Sequence, residues 1–165
     1  AKVISAFDLV NNLPFEELSR ILQTYGEERF HRRIARLIIE ERRRFPIRTT
    51  QHLADIAARA QRRRTYGKIH PATRTFQAFR IAVNNELEVF ERALDDCERF
   101  LNPGARVCTI AFHSLEDRIA KLAFKRLAKE GKMNVITKKP IRPTQQEMAL
   151  NPRSRSAKLR VAERR

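Results

Sequence analysis

Four side chains that can hold or pass a proton fall within five residues, His113, Ser114, Glu116 and Asp117, in the stretch FHSLEDR. A histidine beside two carboxylates can take a proton from a weakly acidic N–H, or hydrogen-bond a polar ring into a fixed orientation. The same residues have a structural use. Ser114 followed three positions later by Asp117, ahead of an amphipathic run from Leu115 to Leu127, is a capping-box pattern that starts a helix.

What precedes them places them. Val107–Phe112 reads VCTIAF, rich in β-formers and without clean alternation, as in a strand covered on both faces at the centre of a parallel sheet. The chain then turns through Phe112-His113 into the helix. In open α/β sheets ligands bind outside the carboxyl ends of the strands, so the four polar residues are expected at that edge. After the helix and Gly131, a strand NVIT is expected at 134–137, a short helix capped by Thr144 with Glu147, and a last strand over Lys158–Ala162. The last strand is expected to pair antiparallel with NVIT at the sheet edge.

The segment before the central strand carries the second polar set. Lys68–Glu86, KIHPATRTFQAFRIAVNNE, opens with Lys68, His70, Arg74, Arg80 and Asn84 among other hydrogen-bonding residues, which suit phosphate and base-edge contacts. Its apolar positions predict one long helix from Pro71 past Leu94 to Phe100. The first 60 residues read as helical throughout: Ser5–Asn12 with Ser5 as its N-cap, a helix after Pro14 ending at Gly26, Glu27–Arg44, and one capped by Thr49 or Thr50. Arg32, Arg33, Arg36, Arg42, Arg43 and Arg44 lie mostly off the apolar stripe of the third, either as a solvated face or as RNA phosphate contacts. Arg62-Arg63-Arg64 and Tyr66-Gly67 predict a basic loop.

Composition bounds the partner. The 165 residues carry 35 Lys+Arg against 19 Asp+Glu, a net charge of +16, and residues 101–165 alone hold 16 against 5. A polyanion, nucleic acid first, is the expected partner. No apolar run approaches the ~20 residues that span a bilayer, so neither a membrane nor export is expected. Cys97 and Cys108 lack metal-ligand spacing and read as buried structural thiols in a reducing, cytoplasmic setting. No metal site is expected.

KIHPATRTFQAFRIAVNNE and FHSLEDR together resemble the MraW/RsmH family, as do the opening SAFDLVNNLPFEELSRILQTYGEERFHRRIARLI and the ending ITKKPIRPTQQEMALNPRSRSAKLRVAER. Members are S-adenosylmethionine-dependent methyltransferases of a cytidine N4 in small-subunit rRNA. The resemblance implies an α/β chain, a mostly helical insertion (1–67, substrate recognition) followed by the C-terminal part of a Rossmann-like methyltransferase sheet (68–165). It implies His113 and Glu116 as pocket residues that bond the base or relay its proton. Phe112 would stack on the base or fill the core, Arg118 would pair with a phosphate or an acidic neighbour, and Ser114 and Asp117 would cap the helix or line the pocket.

The sequence departs from the family at one point. The family's cofactor loop is glycine-rich, and here Gly26, Gly67, Gly104 and Gly131 are far apart. The chain alone is therefore expected not to bind S-adenosylmethionine, and its sheet to need a missing N-terminal half or a second chain. The rival reading is a non-catalytic RNA-binding or ribosome-associated module derived from that fold. A DNA-binding helical protein ranks below both, for want of helix-turn-helix spacing.

Overall fold

A computed structural model describes residues 4–61 and 70–165. The chain divides into two compact units, Ala1–Glu86 and Leu87–Arg165, each with its own apolar core.

The first unit is helical. α1 (Ala6–Asn12) begins with the expected cap: Ser5 Oγ accepts from Asp8 N, and Asp8 Oδ2 accepts from Ser5 N at 2.9 Å. α2 (Phe15–Gly26), α3 (His31–Arg42), α4 (Thr50–Gln61) and α5 (Thr73–Asn84) follow. Leu18, Leu22, Ile34, Ile38, Ile56 and Phe79 lose nearly all solvent contact between them, each contributing about 2 kcal/mol of burial. The third helix starts four residues later than its pattern predicts, because Glu27 takes a left-handed conformation (φ 46°) and breaks the run. Gly26 has a different reason to be glycine. A Cβ there would lie 2.7 Å from the backbone oxygen of Arg74, so the missing side chain lets α2 and α5 touch.

Arg42, one of the six arginines read as solvated or phosphate-facing, is structural. Its guanidinium donates to Val10 O (2.8 Å) and Leu13 O (2.7 Å), satisfying carbonyls at the end of α1. Asn11 pins the chain after α3 by accepting from Ile47 N at 2.9 Å and donating to Ile47 O at 3.0 Å. The buried Glu28 accepts from Phe30 N at 3.0 Å. Thr49 caps α4, its hydroxyl accepting from His52 N at 3.2 Å. The sequence boundary at residue 67 lies outside the described residues. α5, on the catalytic side of that boundary, packs against α2.

The single long helix expected from Pro71 is two. Asn85, left-handed at φ 52°, ends α5, and α6 (Glu86–Asp96) starts afresh; asparagine tolerates that conformation better than most residues.

In the second unit, a 3-10 turn (Cys97–Phe100) leads to β1 (Arg106–Ala111), α7 (Ser114–Lys129), β2 (Met133–Val135), α8 (Gln145–Leu150), a second 3-10 turn (Pro152–Ser156) and β3 (Lys158–Arg164). The strand order is β1-β3-β2 with both pairings antiparallel. The last strand thus pairs with β2 as expected but lies between the other two rather than at the edge. Its inner face meets α7, where Ala120, Ala123, Phe124 and Leu127 pack with Met133 and Ala162. Leu122, within the amphipathic run of the same helix, is 56% exposed.

β1 is not covered on both faces within this chain. Thr109 and Ala111 are buried while Ile110 is 60% and Phe112 54% exposed, and Cys108, expected buried, is exposed. The register puts Cys108 opposite Val161 and Ile110 opposite Leu159, so one sheet face is an open apolar surface and β1 is an edge strand.

A charged cluster locks α7 to β3. Asp117 Oδ1 accepts from Arg160 Nε at 2.7 Å and Oδ2 from Lys158 Nζ at 3.3 Å. Burial alone would raise the Asp117 carboxyl, but the bonds from Arg160 and Lys158 outweigh it and hold the group below the usual aspartate range.

Three predictions follow from this packing. Gly26→Ala should cost about 1–3 kcal/mol, read as a lower urea midpoint of the helical unit. Asp117→Asn should cost about 2 kcal/mol at pH 7. The folded carboxyl lies below its unfolded value of about 3.9, so its stabilisation is complete above about pH 5 and vanishes as pH falls through the folded value; parent and variant melts should converge in acid. The open sheet face should make the chain self-associate at micromolar concentration, and Ile110→Lys should shift its sedimentation toward monomer.

Candidate active site and nucleic-acid face

At the carboxyl end of β1 the backbone runs through Phe112 and His113 into α7. The capping box that opens this helix is displaced by one residue from the expected one. His113, not Ser114, is the N-cap (φ −134°, ψ 170°), and Glu116, not Asp117, is its third-position partner. Ser114 is the first helical residue, and Asp117 belongs to the Arg160–Lys158 cluster. The correction rests on geometry. His113 Nδ1 accepts from Glu116 N at 3.3 Å, while Glu116 Oε2 accepts from Phe112 N at 2.8 Å and His113 N at 3.3 Å.

Two chemical properties result. An Nδ1 that accepts a hydrogen bond leaves the ring proton on Nε2, which lies 3.3 Å from Glu116 Oε1. Glu116 is a carboxylate steadied by two backbone N–H groups, with a side chain 25% exposed. Phe112, half exposed beside it, offers a free ring face. The turn therefore presents an oriented anion and an aromatic surface within a few residues, a set suited to hydrogen-bonding an exocyclic amine and stacking its ring, while the His113 ring is largely buried beneath it. Arg118 is exposed one turn further along α7.

The second polar set is partly consumed by the fold. Arg74 donates to Glu27 O at 3.0 Å, and Arg80 Nε lies 3.1 Å from Glu86 Oε1, to which Asn84 also donates at 2.9 Å. His70 Nδ1 accepts from Ala72 N at 3.1 Å. These four remain exposed, so they can still meet a phosphate, but each already has a structural task. Lys68, the Arg62–Arg64 triplet and Tyr66-Gly67 lie outside the described residues. Asp117's tie to β3 was missed by the sequence reading, although Lys158 and Arg160 alternate onto one strand face and could have signalled it.

Among the described residues no glycine-rich loop of the kind that cradles S-adenosylmethionine is formed. Gly26 is spent on helix contact, and Gly104 (φ 80°) and Gly131 (φ 75°) are isolated turn residues with open space where a Cβ would be. No glycine-rich loop follows β1, the longest strand run before α7. Among the described residues no group of three or more His, Cys, Asp or Glu could hold a metal ion, and no helix is long and apolar enough to cross a membrane.

The comparisons with known proteins agree with one another. Ribosomal RNA small subunit methyltransferase H of Clostridioides difficile (strain 630) is 48% identical over 177 aligned residues, covering 97% of this chain and 57% of that protein. The proteins of the same name from Halothermothrix orenii (46% identical, 98% of this chain, 57% of that protein) and Caldicellulosiruptor bescii (47%, 98% and 57%) match alike. The chain thus spans a little over half the length of these relatives. The MraW methylase family model matches residues 1–165, and the chain belongs to that family.

Proposed function

We propose that this chain is the RNA-facing and base-handling portion of an S-adenosylmethionine-dependent methyltransferase that acts on a cytidine N4 of small-subunit rRNA. The observation that carries the proposal is the Phe112–Glu116 turn, which sets a fixed carboxylate beside an exposed aromatic ring at a strand's carboxyl end. The names of the relatives support rRNA as substrate. The methyl donor would be held by the part of the relatives that lies outside the aligned 57%, because the residues here do not form its cradle. That part would also cover the open face of the sheet, extend β1 with further strands into a Rossmann-like sheet, and place the enzyme in the cytoplasm with the ribosome.

The chain's own role follows from the turn's hydrogen bonds. A cytidine swung out of its stack would lie on Phe112. Its N4 amine would donate to Glu116, whose negative charge becomes more valuable as the nitrogen turns cationic. Because Phe112 N–H and His113 N–H hold that carboxylate in place, Glu116 serves as an orienting acceptor. The amine proton then leaves to water, while His113 holds the start of the helix and with it the carboxylate.

A chimaera that joins this chain to the remainder of the C. difficile protein tests the proposal. Glu116→Gln keeps an oxygen for the two backbone donors and removes the charge. Turnover on small-subunit RNA should fall about 10²-fold or more, with donor affinity and melting temperature nearly unchanged. If Glu116 only caps α7, Glu116→Gln would be silent in turnover, and Glu116→Ala would lower stability by about 1 kcal/mol.

A further inference from the structure

A second basic feature lies on the other part of α7. Lys121 and Lys125 are four residues apart and share one stripe of the helix, where like charges repel. Lys138 reaches the same place from the segment after β2. That segment is held against β3 by Thr137, whose hydroxyl accepts from Val161 N at 2.8 Å. The three lysines rim a cleft of about 240 Å³ walled by Phe124 and Val135, with Arg160 at its floor. Arg160 is 6% exposed and its Nε is fixed on Asp117.

The three lysines of this cleft, unlike Arg160 beneath them, are not paired with a carboxylate as several other cations of the unit are. Lys132 pairs with Glu130, Arg126 with Asp95 and Lys158 with Asp117. Among the described residues Lys121, Lys125 and Lys138 make no ion pair, and no carboxylate lines the cleft. The cleft is smaller than the roughly 300–1,000 Å³ of typical small-molecule pockets, so it has room for a small anionic group rather than a whole nucleotide. Flexible lysines act as point charges toward phosphate and read no base sequence.

We propose that the Lys121–Lys125–Lys138 cleft seats a backbone phosphate of the RNA, a contact separate from the Phe112–Glu116 turn. It rests on the reading of RNA as the substrate and adds a sequence-independent grip to it.

The test uses the chain as it stands, with two fluorescein-labelled single-stranded RNAs of equal length, a small-subunit rRNA segment and polyuridylate, followed by anisotropy. The cleft variant carries Lys121→Ala, Lys125→Ala and Lys138→Ala. A charge-matched variant carries Arg92→Ala, Arg99→Ala and Lys132→Ala, each an exposed cation already paired in the fold. Circular dichroism melts confirm that both fold. The cleft variant should bind both RNAs about tenfold more weakly at 0.1 M salt, and its slope of log affinity against log salt should drop by about 0.7, as for one phosphate of a single strand. The matched variant should change far less. Equal losses in the two variants, or an unaltered salt slope in the cleft variant, would overturn the proposal. Equal affinity of the parent chain for the two RNAs would count against small-subunit rRNA as the substrate while the cleft's contribution still registers, so the two failures are separable.

Discussion

The second unit depends on β3 being inserted between two strands that precede it in sequence. β1 and β2 make no ladder with each other; each is hydrogen-bonded to β3. Every backbone donor and acceptor that the sheet satisfies therefore passes through Lys158–Arg164. Alternation along that strand does two jobs at once. Ala162 enters the core under α7, and on the same face Arg160 and Lys158 reach Asp117. The position of α7, and with it the turn that precedes it, is thus set from the far end of the chain.

That dependence explains why the candidate site is firm although it lies on a turn. His113 and Glu116 bond each other's backbone N–H, a closed pair that holds the start of the helix. One residue beyond, Asp117 is anchored to the sheet. For Glu116 the capping observed does not compete with the role proposed, since the cap is what holds its carboxylate at the Phe112 backbone. In the helical unit much of the polar character of α5 is spent on Glu27, Tyr25 and Glu86, so that the richness of polar residues there measures internal wiring.

Much of this was legible beforehand. The helices of the first unit, the strand–turn–helix around His113, the caps at Ser5 and Thr49 and the antiparallel pairing of the last strand all follow from short-range patterns. What escaped was long-range or degenerate. Ser114-x-x-Asp117 and His113-x-x-Glu116 fit the same cap template, and only the ring nitrogen's position decides between them. VCTIAF reads as doubly buried because its composition does not state which of its faces this chain covers. Gly26 ends its helix as its pattern suggests, but its need to be glycine comes from Arg74, a residue far away in sequence.

The insertion of β3 also orders events in time. During translation β1, α7 and β2 emerge first, yet none of them can close a sheet until the ribosome has released the chain through Arg164. Until then the apolar stripe of α7 has no finished floor, and the nascent unit must rely on helix formation or on a chaperone to avoid wrong partners. A protein whose relatives are named for modifying ribosomal RNA would thus spend its most vulnerable interval at the ribosome's own exit.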